Sequence, residues 1–250
     1  MPRVIKKTKK EIDVIIEGGK KLAKIKARLK EKIDVGVSAR EVEELAVKLI
    51  KEEGGKPSFK MVPDYKWATC VNVNEGVVHG IPKSETIFQK GDIVSVDVGI
   101  YYKGFHTDTS FSVSVRDGKN SKFLDVGEKA LEKAIKQAKS GNRIYDISKT
   151  IEKILTEANC FPIKALVGHG IGRDLHEAPQ IPCFVNGKRK DYPIIPEGAV
   201  LAVEVMYSKG GGEVRVASDG WTIETRDGKI SALFEDTIAV TKKGPIIITR

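Results

Sequence analysis

Apolar residues near the start of the chain recur at helical spacing. Ile12, Ile15, Ile16, Leu22, Ile25 and Leu29 follow Thr8-Lys9-Lys10-Glu11, a capping box that predicts a helix start at Thr8. A second box, Ser38-Ala39-Arg40-Glu41, opens a helix through Val42, Leu45, Val47 and Leu49 that stops at Gly54-Gly55. The pattern then turns β-rich over 69–73, 93–98 and 108–115. The order repeats in the second half. Helices are predicted over 122–139 and 145–158, and strands near 200–206, 213–216, 221–225 and 232–240. Two helices then strands, twice over and with no low-complexity linker, predict one α/β domain spanning 1–250 with pseudo-twofold halves, although the halves share little residue identity.

Composition narrows the class. The chain is 40% hydrophobic and 31% charged, as expected of a globular protein rather than a disordered one. No apolar run approaches the ~20 residues that span a bilayer, and the basic start has no apolar core of the signal-peptide kind. Three cysteines, Cys70, Cys160 and Cys183, lack metal-type spacing and point to a reducing compartment, hence the cytoplasm. Of the net charge of +9, residues 1–32 carry +8, with twelve Lys/Arg against four Asp/Glu. Such a run is ordinarily a solvated helix face; the sharper reading is docking on a polyanion such as RNA. With no nucleic-acid motif, recognition of a base sequence is not expected.

Four acidic residues stand where strands should be apolar: Asp97 in Ile93-Val94-Ser95-Val96-Asp97-Val98, Asp108 at the head of Asp108-Thr109-Ser110-Phe111, Glu204 in Val203-Glu204-Val205, and Glu235 in Phe234-Glu235-Asp236-Thr237. A buried carboxylate costs several kcal/mol unless it is paired or binds metal. Four of them, in strands poor in Lys and Arg, call for a shared cation. Asp97 and Asp108 suit two strands of a hairpin turning at Tyr101-Tyr102-Lys103-Gly104, where both face one spot or one faces solvent. His169 sits in the glycine-rich Gly168-His169-Gly170-Ile171-Gly172, read as a loop that lets the imidazole project, and His176 follows seven residues later. Two histidines beside such a segment, with the four carboxylates, point to metal chemistry.

At these residues the chain resembles the type I methionine aminopeptidases. The resemblance covers essentially all 250 residues. Its motifs are Asn74-Glu75-Gly76-Val77-Val78-His79-Gly80-Ile81-Pro82, Val96-Asp97-Val98-Gly99, Phe105-His106-Thr107-Asp108-Thr109-Ser110, Gly168-His169-Gly170-Ile171-Gly172-Arg173, His176-Glu177-Ala178-Pro179 and Phe234-Glu235-Asp236-Thr237. Each is weak alone, and their joint order is very specific.

The resemblance implies a pita-bread fold, a curved antiparallel sheet covered by helices, and two divalent ions (Co, Fe, Mn or Zn) ~3.5–4 Å apart. Asp97, Asp108, His169, Glu204 and Glu235 occupy the ligand positions, with Asp108 and Glu235 bridging. It further implies that Glu204 is the general base for a bridging water, that His176 bonds the scissile carbonyl, and that His79 contacts the scissile amide nitrogen. The methionine side chain enters a pocket of Phe59, Tyr65, Cys70, Leu175 and Trp221. A Na or K ion is expected near Asn74, Gly76 and Ser231. His106 is read as structural. The implied activity is release of N-terminal methionine from nascent proteins and peptides with a small second residue, by a monomer that touches the ribosome through residues 1–32. The chain's own Met1-Pro2 start is then a substrate of that kind.

Three departures bear on the pocket. Glu204-Val205-Met206 replaces the usual Glu-Pro-Met. Phe59-Lys60-Met61-Val62 replaces a segment resembling Phe-Lys-Gly-Tyr, losing an aromatic at Val62 and a glycine bend at Met61. Leu175 stands where an aromatic is common. These changes predict a looser preference for methionine. No zinc-finger extension is seen before Thr8, and the interval between Glu204 and Glu235 leaves no room for the type II insertion, so a bacterial-style type I enzyme is expected. The rival readings are an Xaa-Pro peptidase of the same fold, or a non-enzymatic pita-bread module that binds RNA or protein.

Overall fold

A computed structural model describes residues 4–250. The Met1-Pro2 start and the first three residues of the basic segment lie outside the described residues. Helix α1 (Lys9–Lys32) begins at the Thr8 capping box, and α2 (Ala39–Glu52) at the Ser38 box. Helices α3 (Ser121–Ile135) and α4 (Ile144–Glu157) belong to the second half. Before α3 lie β1 (Lys56–Pro57), β2 (Thr69–Val73), β3 (Gly76–Val78), β4 (Ile93–Tyr102) and β5 (Phe105–Ser114). After α4 come β6 (Phe161–Pro162), β7 (Val167–Gly170), β8 (Glu177–Pro182), β9 (Val200–Ser208), β10 (Val214–Val216), β11 (Ile223–Thr225), β12 (Ser231–Thr241) and β13 (Gly244–Ile247).

The main sheet runs β1-β4-β5-β12-β9-β7-β8, with β2 on β4, β6 on β9 and β13 on β12; every pairing is antiparallel. Within this sheet, strands from the first half meet those from the second at one seam, between β5 and β12; a separate three-stranded sheet, β10-β11-β3, joins the halves elsewhere. That seam is narrow: two residue pairs match across it, against ten between β4 and β5 and nine between β12 and β9.

Alternation sorts the side chains. Val94, Val96, Val98 and Ile100 of β4 pack under Leu22, Ile25 and Leu29 of α1 and Val42, Ala46 and Ile50 of α2. Leu201, Val203 and Val205 of β9 pack with Leu131 of α3 and Ile147 and Ile151 of α4. One side of the sheet is thus covered by helices, and the intervening positions, Asp97 and Glu204 among them, face the other side.

Two expectations change. The segment around His169 is a strand, β7, not a loop. Its glycines serve close strand approach: a Cβ on Gly168 would sit 2.7 Å from the Ala202 carbonyl oxygen, and one on Gly170 2.2 Å from that of Ala178. The β4–β5 turn is shorter than expected, Lys103-Gly104 alone with φ of 46° and 92°, while Tyr101 and Tyr102 remain in the strand.

Candidate metal centre

Two adjacent rungs of the sheet carry the acidic residues. Across β2, β4, β5, β12 and β9 the first rung reads Cys70, Asp97, Ser110, Glu235, Glu204. Two residues along, Gly99 faces Asp108, Thr237 faces Ala202, and Ala202 faces His169. Thr237 closes the gap between Asp108 and its own strand: its hydroxyl donates to the Asp108 carbonyl (2.7 Å) and accepts from the Asp108 amide (2.9 Å). Asp97 and Asp108 do face one spot, because the hairpin register offsets them by one rung on the same side.

All five expected ligands line a single cavity of about 690 Å³. Asp108, His169 and Glu235 form its tightest cluster, each offering an atom within 4.8 Å of the others. Glu204 Oε1 lies 3.9 Å from His169 Nε2. His169 Nδ1 sits 2.9 Å from the Gly170 carbonyl oxygen, which fixes the tautomer with Nδ1 protonated and leaves the Nε2 lone pair toward the carboxylates.

The electrostatics are one-sided. No lysine or arginine lines the cavity among the described residues. Burial, then the neighbouring carboxylates, push Asp97, Glu204 and Glu235 well above the usual carboxylate range. Burial raises Asp108 to about 7, against the Thr109 amide and Asp97, which pull it down. Burial and the nearby His176 ring lower His169 to about 3. Asp97 Oδ1, Glu235 Oε1 and Ser110 Oγ are buried with no hydrogen-bond partner. Unpartnered carboxylate oxygens beside a free imidazole nitrogen form a donor set that fits divalent cations.

The rest of the cavity is apolar and aromatic. Phe59, Tyr65, Cys70, Leu175 and Trp221 line it, as do Val62 and Met206. Tyr65 anchors this wall, edge-on to Trp67 (5.3 Å) and Trp221 (5.1 Å), with its hydroxyl 3.2 Å from Cys70 Sγ and donating to the Thr69 carbonyl at 3.0 Å. Asp219 shapes the Trp221 turn, accepting from the amides of Trp221 (3.0 Å) and Thr222 (2.9 Å). Met61 needs no glycine: the positive φ of this segment falls at Asp64.

His79 and His176 also line the cavity. His176 stands edge-on to His169, ring centroids 4.5 Å apart. Burial lowers both His79 and His176, and His176 lowers His79 further. The loop before His176 is tied down by Glu177, which accepts from the Arg173 amide (2.8 Å) and forms a buried ion pair with Lys7. His106 lies apart, bonded to Ser58 Oγ at 2.9 Å and tilted against the Tyr101 ring, centroids 4.7 Å apart. Asn74, Gly76 and Ser231 meet away from the cavity, where the Ser231 hydroxyl donates to the carbonyls of Gly76 (2.8 Å) and Asn74 (3.2 Å). Sequence reasoning missed Gln180, which lines the cavity because it pairs with His169 across β7 and β8; only that register reveals it.

The model of metallopeptidase family M24 matches residues 14–242. The chain belongs to that family. Methionine aminopeptidase 1 of Bacillus subtilis (strain 168) is 39% identical over 249 residues, 99% of each chain. The crystal structure of methionine aminopeptidase from Thermotoga maritima superposes with a TM-score of 0.95 at 40% identity, covering 99% of both chains. The expected pita-bread fold is borne out. Prolidase from Pyrococcus furiosus shares that fold at 23% identity and TM-score 0.78, with this chain covering 65% of that one.

Proposed function

We infer that the chain is a metal-dependent methionyl aminopeptidase, a hydrolase that releases the N-terminal methionine of peptides and nascent proteins with a small second residue. The observation that carries this reading is the cavity itself: Asp97, Asp108, Glu204, Glu235 and His169 line it together with no lysine or arginine, beside an aromatic and apolar wall. Full-length relatives that are methionine aminopeptidases support it. The Xaa-Pro reading has only a shared fold behind it.

On this reading Asp97, Asp108, His169, Glu204 and Glu235 would hold two divalent ions. When bound, such ions polarise a carbonyl oxygen and lower the pKa of a ligated water toward ~7. The residues do the rest. Glu204 accepts the proton of the attacking water and returns it to the leaving amine. Neutral His176 donates its N–H to the scissile carbonyl as it becomes an oxyanion, and burial keeps it neutral for that task. His79 approaches the scissile amide nitrogen. Phe59, Tyr65, Cys70, Leu175 and Trp221 hold the methionine side chain, the thioether against aromatic edges.

The protein acts as a single-domain monomer in the cytoplasm, a monovalent ion binds at the carbonyls of Asn74 and Gly76 beside Ser231, and exposed basic residues of α1 such as Lys20, Lys24 and Arg28 touch ribosomal RNA. The deciding experiment is release of free methionine from Met-Ala-Ser before chelation, after it, and after adding back Mn(II) or Co(II). Activity lost and restored, with Ala-Pro untouched, is expected; metal-independent release, or preference for Ala-Pro, overturns the reading.

A further inference from the structure

The seam between the two halves is held by side chains more than by backbone. Thr109 Oγ1 donates to the Glu235 carbonyl at 2.7 Å, and Ser112 Oγ exchanges bonds with Leu233, donating to its carbonyl (2.8 Å) and accepting from its amide (2.9 Å). On the helix-covered side, Lys26 of α1 reaches this seam. Its ammonium donates to Thr109 Oγ1 and to Asp236 Oδ1, both at 2.9 Å. Thr109 follows Asp108, and Asp236 follows Glu235, so the lysine holds the immediate neighbours of one ligand from each half.

We propose that Lys26 is a positioning residue for the metal site, clamping β5 to β12 from behind and so setting the separation of Asp108 and Glu235 on the opposite side of the sheet. The inference rests on the reading of those two residues as ligands. Three features support a fixed clamp. Asp236 is 1% exposed and is oriented independently by Thr249 Oγ1 (2.9 Å) and Arg250 Nε (2.6 Å). The Lys26 side chain is itself mostly buried. Backbone pairing at the seam spans only two positions, so side-chain bonds such as those of Lys26, Thr109, Ser112 and Thr237 carry much of the connection there. Groups that orient metal ligands from behind commonly change metal affinity by about 10–100-fold when removed.

The test is calorimetric titration of the chelator-stripped full chain with Mn(II), using wild type, Lys26→Met, Thr109→Val, Lys21→Met and Asp108→Asn. Lys21, on the same helix as Lys26, pairs with Glu53 at the end of α2 and away from the seam, so it controls for loss of an α1 ion pair. Lys26→Met and Thr109→Val should each weaken Mn(II) binding about 10-fold, Lys21→Met should leave it unchanged, and on a Met-Ala-Ser peptide kcat should fall with KM unmoved. Wild-type affinity in folded Lys26→Met and Thr109→Val overturns the clamp, even if melting temperature drops, because a purely structural lysine would move stability alone. If Lys26→Met does not fold, Thr109→Val decides. Equal binding by wild type and Asp108→Asn would instead overturn the ligand reading, a separate failure.

Discussion

β12 buries two consecutive carboxylates on opposite sides of the sheet. Asp236 faces the helices and is met by Lys26, Arg250 and Thr249. Glu235 faces the cavity, where burial comes first and Asp108, Asp97 and Glu204 add repulsion, and its Oε1 has no partner. One strand thus carries one buried carboxyl group met by donors and one that is not. The helix α2 residue Glu43 repeats the matched case: it is buried, yet it accepts four hydrogen bonds from Ala68 and Thr69. Where this protein buries a carboxylate for structure, it supplies the donors. The cavity supplies backbone amides alone, such as that of Thr109 to Asp108 Oδ1 at 3.0 Å, and no lysine or arginine, and a bound cation is the physical account of that difference.

The contrast breaks most visibly in activity. Glu235→Ala or Asp108→Ala should lower kcat/KM on Met-Ala-Ser more than about 100-fold, beyond the usual effect of groups that only orient ligands, measured with saturating Mn(II). Stability should move in opposite directions at the two neighbours. Asp236→Asn should destabilise the metal-free protein by about 2 kcal/mol, below the ~3–5 of a fully buried pair because Arg250 is partly exposed. Glu235→Gln should instead stabilise the metal-free protein, because it removes a buried carboxylate whose ionised form nothing pairs. Urea unfolding checks both, and equal signs would remove the distinction.

Asp219 sharpens the comparison through pH. Burial raises its pKa, but bonds from Thr222, Trp221 and Lys83 outweigh that and bring it down to about 2 from an ordinary 3.8. The folded pKa is the lower one, so its contribution is complete above about pH 4 and is lost as pH falls through about 2. Wild type should therefore lose stability more steeply than Asp219→Asn between pH 4 and 2 in urea titrations. The smallest effect concerns the pocket. With Val62 and Leu175 in place of aromatics, kcat/KM for norleucine, leucine and methionine peptides should agree within about 10-fold, near the low end of what one methylene discriminates. Sharp methionine selectivity would show that Tyr65 and Trp221 close the pocket unaided.

Much of this was legible along the chain. The Thr8 and Ser38 boxes, strand 69–73 and the four acidic residues in apolar surroundings each stand out locally, because capping and alternation are short-range signals. β7 and β8 were not legible: Gly168, Gly170, Pro179 and Pro182 depress strand propensity, and only packing against β9 and an edge position make them tolerable. The lysines were least legible. In a basic helix Lys26 reads as one more solvated charge, and Lys7 precedes the helix altogether. Their partners, Asp236 and Glu177, lie 210 and 170 residues away. No periodicity connects such pairs, whereas the tertiary fold does.

The most direct measurement is Co(II) binding to the chelator-stripped protein by calorimetry, beside an Asp108→Asn/Glu235→Gln double variant. Saturable binding of two ions per chain by the wild type, abolished in the folded double variant, is the predicted result. Indistinguishable titrations of the two proteins would contradict the account, because the unmatched carboxylates would then have no cation to answer to.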